Sequence, residues 1–261
     1  MTTPGFLDAG FIDAGFIERH AALAEHCHPR ARHIDRPDPD DPAEVQAMQM
    51  VLHIPRADPP PRHEILAAAA ASAIAVCLHP DTGLGGPWHD PLHAWMGARI
   101  RKVARRARGT AWDAAQSVPG VTSTAGTAHA RALVPGRIGD LDPRIKKLQI
   151  SGTDIPPEPE ATKRLGPSQP VLAINTALGM TVGKAAAQAG HASMLLGATL
   201  TAEQAWEWAR RDYGCTIIEA GPARWAELLE AARAGQGIVV RDAGFTEIAP
   251  GSATVIAHWG R

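Results

Sequence analysis

Val240-Arg241-Asp242-Ala243-Gly244-Phe245-Thr246-Glu247-Ile248-Ala249-Pro250-Gly251-Ser252-Ala253-Thr254-Val255-Ile256 reads as a strand, a tight turn and a second strand. Ile238 to Val240 and Thr254 to Ile256 are apolar or β-branched, and Gly244, Pro250 and Gly251 punctuate the interval. Asp242 therefore falls at the carboxyl end of a buried strand. A carboxylate is costly to bury alone. Strand carboxyl ends, however, are where open α/β sheets form their ligand crevices, so the rest of the chain must supply its partners.

Upstream, Val171 to Ile174 is a short apolar strand, followed by a Gly-containing loop and a helix from about Lys184 to Leu196. Lys184, Gln188 and His191 stand at i, i+4 and i+7, so a cation, an amide and an imidazole share one helix face. Thr201 and Gln204 form a capping box that opens a helix carrying Trp206 and Trp208. Cys215 to Ile218 is the next strand, Pro222 suits the first turn of another helix, and Gly235 stops it. Residues 170–261 thus make a four-stranded mixed sheet in the order β-α-α-β-α-β-β. The first helix can turn its early N–H groups, from Gly183 onward, toward an anion. The loop is not a Walker loop, because three residues separate Gly179 from Gly183 and Ala185 stands where Ser or Thr is required.

At 261 residues the chain is long enough for two small cores. Its formal net charge of -1 removes the simplest nucleic-acid signal, a strongly basic whole, and leaves room only for local patches. Cys27, Cys77 and Cys215 are few, odd in number and far apart, which suits a reducing compartment, and no apolar run of about 18 residues is present. A cytoplasmic protein with no membrane association is expected.

Residues 1–46 read as a flexible extension. A five-residue unit beginning Gly-Phe repeats from Gly5 to Ile17 and matches neither helix nor strand. His20, His26, Cys27, His28 and His33 fit no closed zinc pattern. A solvated segment is expected there, with no metal and no cofactor anywhere in the chain.

Residues 47–150 read as a first α/β unit. Met50 to Ile54 is a strand, and the Ala-rich stretch from Glu64 to Leu78 a buried helix. Trp95 to Ala107 reads as an amphipathic helix whose outer face carries Arg99, Arg101, Lys102, Arg105, Arg106 and Arg108. That face is either solvated or set against phosphates, and Arg101 and Arg105 are the residues expected to touch substrate. A Pro-rich linker, 151–169, follows.

The segment from Val171-Leu172 through Leu178-Gly179-Met180 to Gly183-Lys184, then Ala186-Ala187-Gln188 and His191-Ala192, closely resembles the first strand and helix of the type 2 peptidyl-tRNA hydrolases, the archaeal and eukaryotic type. Asp242-Ala243-Gly244, Thr246 and Ile248 to Ser252 with Thr254 resemble the same family's C-terminal signature. The resemblance covers about 170–258. It implies a compact α/β domain, usually a homodimer, that hydrolyses the ester between a peptide and the terminal ribose of tRNA. By that likeness Lys184, Gln188, His191, Asp242 and Thr246 fall on functional positions, and Gly183, Ser252 and Thr254 line the substrate edge. The pattern is not complete: Thr181-Val182 precede Gly183-Lys184 where a second lysine is usual, Asn175 and Ala177 replace Arg and Asp, and Glu247 replaces Gln. These changes remove positive charge from the crevice.

The first unit reads as a worn copy of the second. Val51 to Ile54 parallels Val171 to Ile174, the Ala-rich helix parallels 184–196, Trp112-Asp113 parallels Trp225-Ala226, and Val134-Pro135-Gly136 parallels Ala249-Pro250-Gly251. Glu64 stands where Lys184 aligns, so the copy is expected to be inactive. The chain would then be a monomer built as an intramolecular pseudo-dimer, or a homodimer.

For ester hydrolysis, Asp242 would take the proton of a water directly or through Thr246, Lys184 would face the developing oxyanion or a phosphate, and Gln188 would hold substrate or Asp242. His191 is either catalytic or a buried structural imidazole. The other reading of the whole domain is a non-catalytic RNA- or protein-binding module of the same fold.

Overall fold

The computed structural model describes residues 12–28, 37–152, 155–157, 169–242 and 247–260. Two α/β units follow one another. The first holds strands β1 (Gln46–His53), β2 (Lys102–Ala107), β3 (Gly120–Ala125), β4 (Ala128–Leu133) and the short β5 (Gly136–Arg137). Its helices are α2 (Arg62–Cys77), α3 (His89–Met96), α4 (Thr110–Ala115) and α5 (Pro143–Lys146), preceded by α1 (Ala14–Cys27). The second holds β6 (Pro170–Asn175), α6 (Val182–Thr199), α7 (Ala202–Ala209), β7 (Thr216–Ala220), α8 (Pro222–Ala231), β8 (Ile238–Arg241) and β9 (Ala253–Trp259).

The two sheets have one connectivity. The first runs β2-β1-β4-β3 with β5 beside the start of β1, and the second β7-β6-β9-β8. In each, a parallel pair joined by a helical crossover flanks an antiparallel hairpin. The halves meet where α2 crosses α6. Gly190 and Ala73 lie at that crossing, as do Gly197 and Ile74, and the Ser193 hydroxyl donates to the Ala70 carbonyl at 2.8 Å. Small residues let the helix backbones approach, and the apolar core is continuous across the seam from Met50 and Ile65 to Leu172 and Val255. One shared core therefore replaces the two separate cores expected from length. Smaller clusters lie under α4 and α5 on one outer face and under α8 on the other.

Three expectations are corrected. Residues 95–107 are not a helix. Gly97 closes α3 through its bond to the His93 carbonyl, and 102–107 pair in parallel with β1, from Met48↔Lys102 to His53↔Ala107. A stretch mixing Ala with long cations satisfies both periods, and pairing with a buried strand decides between them. Several of the basic side chains are engaged locally. The buried Arg105 donates to Gln49 Oε1 at 2.8 Å and the Leu148 carbonyl at 2.9 Å, and Arg101 holds Asp38 at 2.7 Å. Both guanidinium groups are engaged in these local contacts.

The extension is not wholly flexible. Asp13 caps α1 through Gly15 N and Phe16 N, and α1 buries Phe16, His20, Leu23 and Cys27 against α6 and α7. His20 Nε2 lies 3.0 Å from the Gly197 carbonyl oxygen, so it is a core histidine and not part of a solvated cluster. His33 and most of the 151–169 linker lie outside the described residues. Finally, Val134-Pro135-Gly136 follows β4, whereas Ala249-Pro250-Gly251 lies between β8 and β9. The counterpart of the Asp242 turn is the β3–β4 turn at Gly126 and Thr127.

Candidate active site

The site is assembled where α6 begins and the β8–β9 connection turns. Thr181 caps α6: its hydroxyl accepts from Lys184 N at 3.2 Å. In a capping box the third helical residue returns the bond, but here that residue is Lys184. Glu247 does it instead, accepting from Thr181 N at 3.2 Å and from the Thr181 hydroxyl at 2.9 Å. A carboxylate from the far side of the turn thereby ties that turn to the helix start, where the helix dipole favours it.

Asp242 follows a break in the β8–β9 register between Val240 and Arg241. Two backbone bonds fix it, Asp242 N to the Ser252 carbonyl at 3.0 Å and Gly251 N to the Asp242 carbonyl at 2.8 Å. Its Oδ1 receives Lys184 Nζ at 2.5 Å and Gln188 Nε2 at 3.0 Å. Gln188 Oε1 in turn accepts from the Thr254 hydroxyl at 2.7 Å, which fixes which way the amide points. Asn175 closes the far wall, donating from Nδ2 to the Ala253 carbonyl at 3.1 Å. The ion pair is nearly dry, with side chains 10 % (Lys184) and 6 % (Asp242) exposed. Charges in such a setting are screened little and interact more strongly than in water.

The structure thus joins Lys184, Gln188, Asp242 and Thr254 in one chain of hydrogen bonds. Ser252 contributes its backbone carbonyl, and Gly183 is the buried second residue of α6. Thr246 and Phe245 lie outside the described residues. His191 is elsewhere: its Nδ1 is 3.1 Å from Nζ of Lys102, a residue of the first unit. Burial, then the charges of Lys102 and Lys184, push the imidazole well below its ordinary value, so it is neutral. Lys102 sits 2.9 Å from Met194 Sδ and 4.9 Å from the Trp95 ring centre, and burial brings its ammonium down to about 8.

The first unit reaches the site in one more place. Arg62, in the first turn of α2, pairs with Glu219 of β7 and donates to the Met180 carbonyl at 2.9 Å and the Ile155 carbonyl at 2.9 Å. Met180 immediately precedes the α6 cap, so this guanidinium props the loop that leads into the first turn of α6, where Lys184 stands. Arg62, Glu247 and Lys102 were invisible as partners in the sequence; only Thr181, spaced three before Lys184, left a local signal. In the first unit the place of Lys184 is taken by Glu64, which accepts from Thr127 N at 2.7 Å and the Thr127 hydroxyl at 2.8 Å.

Residues 169–258 match the family model described as peptidyl-tRNA hydrolase PTH2. The chain is also similar to a protein of Schizosaccharomyces pombe named probable peptidyl-tRNA hydrolase 2, at 35% identity over 97 residues, 35% of this chain and 47% of that protein. The chain therefore spans about half the length of the curated relative it matches. No solved structure matches it. The family model falls on the segment that holds Lys184, Gln188 and Asp242, and residues 169–258 form a C-terminal domain of the peptidyl-tRNA hydrolase PTH2 family.

Proposed function

We propose that the second unit hydrolyses the ester bond of peptidyl-tRNA or of N-substituted aminoacyl-tRNA, releasing the peptide and freeing the tRNA. The observation that carries this reading is the buried chain Lys184–Asp242–Gln188–Thr254, drawn from one helix and one strand turn. Asp242 orients a water and takes its proton. The water oxygen attacks the ester carbonyl carbon, and the Lys184 ammonium stabilises the charge that develops on the carbonyl oxygen. Collapse breaks the bond to the ribose oxygen, which recovers the proton from Asp242. Gln188 holds the carboxylate in place, and Thr254 holds Gln188. Arg62 and Glu247 steady the two edges of the crevice.

The common connectivity of the two sheets supports duplication, with the first unit as an inactive copy at residues 47–150 and the chain working as a monomer. No helix among the described residues is long and apolar enough to cross a membrane. Light scattering over a range of concentration should give the monomer mass throughout. The activity is tested with labelled peptidyl-tRNA, reading cleavage and binding side by side. Wild type should release peptide, and Asp242→Asn and Lys184→Ala should each lose at least a hundredfold in rate, roughly the share of a positioned acid or base and its charge partner. Binding with no release in wild type would reduce the domain to a non-catalytic module.

A further inference from the structure

The two units differ most on their outer sheet faces. In the second, one cross-strand row runs Ile218, Ala173, Ile256 and Val239. It is apolar and lies under Trp225, Leu228 and Leu229 of the ten-residue α8. The row at the same place in the first sheet is Ala107, His53, His129 and Thr124. The next is Arg105, Val51, Arg131 and Thr122. The covering helix α4 has only six residues. It leaves Thr122 and Thr124 exposed and His53, His129, Arg131 and Trp112 half-buried.

These groups are ordered. The Trp112 and His53 rings stack with centres 4.8 Å apart and planes 23° apart, and His129 lies 6.0 Å from His53 and 2.9 Å, through Nδ1, from the Thr124 hydroxyl. Arg131 is held flat along the strands by the Val118 carbonyl at 2.7 Å and the Thr122 hydroxyl at 2.9 Å. Burial first, and then His129, lower the His53 value, which favours its neutral ring. Arg108, Lys146 and Lys147 are exposed at the ends of β2 and α5 beside it. Residues 47–150 hold thirteen Lys and Arg against seven Asp and Glu, whereas residues 170–261 hold seven against eight. The unit without the Lys184–Asp242 pair is the cationic one.

We infer that the outer face of the first sheet is an RNA-contact surface, on which unpaired bases stack against Trp112, His53 and His129 while Arg131 and the flanking exposed cations meet phosphates. The inference rests on the reading of the second unit as a peptidyl-tRNA hydrolase and deepens it, by placing RNA affinity on the other half of the chain. Planar rings beside cations suit nucleobases and backbone together, whereas an acidic peptide needs only the cations.

The test uses full-length wild-type protein, because neither probe carries an ester to cleave, with fluorescein-labelled single-stranded RNA and deacylated tRNA followed by anisotropy at 50 and 200 mM salt. Binding should weaken steeply with salt. Trp112→Ala should weaken it about tenfold, and Trp112→Phe should stay within about threefold, because a ring face is what is lost. Thr122→Glu with Thr124→Glu, at exposed positions that leave the core untouched, should weaken it as well. Unchanged affinity in the folded threonine variants would overturn the inference, as would polyglutamate competing as well as RNA. Peptidyl-tRNA cleavage is measured separately: absence of cleavage by wild type with Trp112-dependent binding sinks the hydrolase reading alone, and cleavage with Trp112-independent binding sinks the surface alone.

Discussion

Replacing Lys184 by Met removes the ammonium from a carboxylate that is almost fully enclosed. Among the described residues, Asp242 Oδ1 then loses the Lys184 donor and retains Gln188 Nε2 at 3.0 Å. Breaking a buried pair by removing one partner costs about 3–5 kcal/mol. With Gln188 still in place, the lower end applies, so urea unfolding at pH 7 should show a loss of about 3 kcal/mol, roughly a 150-fold shift in the folding equilibrium. Asp242→Asn should cost a similar amount, because it leaves the ammonium unmatched. The double variant removes both charges and should fall short of the sum by about 2 kcal/mol, the coupling expected of directly bonded neighbours. It should nonetheless be inert toward peptidyl-tRNA, which separates restored folding from lost chemistry. Single variants each within about 0.5 kcal/mol of wild type, with an additive double, would show that the pair is solvated and refute the dry crevice on which the mechanism depends.

Three further outcomes follow from the seam between the units. The Lys102 ammonium, brought down to about 8 by burial, binds its proton less tightly than in the unfolded chain, so its penalty is full below pH 8 and shrinks as pH rises toward 10. Lys102→Met should thus be more stable than wild type at pH 7 by on the order of 2 kcal/mol, and the gap should narrow by pH 10 in paired urea titrations; a gap independent of pH would count against it. Arg62→Ala strands the buried Glu219 and releases Met180, and should lower the thermal midpoint with a loss of roughly 3 kcal/mol while slowing peptidyl-tRNA cleavage more than it weakens binding. A Cβ at Gly197 would collide with Ile74 Cδ1, so Gly197→Ala should cost about 1–2 kcal/mol, and adding Ile74→Val, which deletes that methyl, should recover most of it by the same measurement.

The second unit was legible because its strands are short apolar runs fenced by Gly and Pro, and because helix spacing alone put Lys184 and Gln188 on one face. Asp242 was readable as a strand-end carboxylate, and two of the partners expected for it, Lys184 and Gln188, donate to it, while Thr246 lies outside the described residues. What failed was local ambiguity or distance. Residues 102–107 mix Ala with Arg in a way that suits helix and strand equally, and Gly97, the stop, carried the missed sign. His191 shares the helix face with Lys184, and two turns of rise carry it into the seam, in line with the buried structural one of its two expected readings. Arg62 meets Glu219 across 157 residues, Lys102 meets His191 across 89, and Thr181 meets Glu247 across 66. No period or propensity in one sequence encodes such pairings, which arise only once two sheets and two helices have been stacked.

The docking of α1 has a consequence for synthesis. Phe16 packs edge-on against Trp206, ring centres 4.9 Å apart, and His20 meets Gly197, so the surface that receives this helix is made some 180 residues after it. At about 5–20 residues per second, α1 waits on the order of ten to forty seconds on the ribosome with its apolar face uncovered. The first helix among the described residues is therefore among the last to find its place, and while it waits a nascent-chain chaperone has its longest opportunity to hold it.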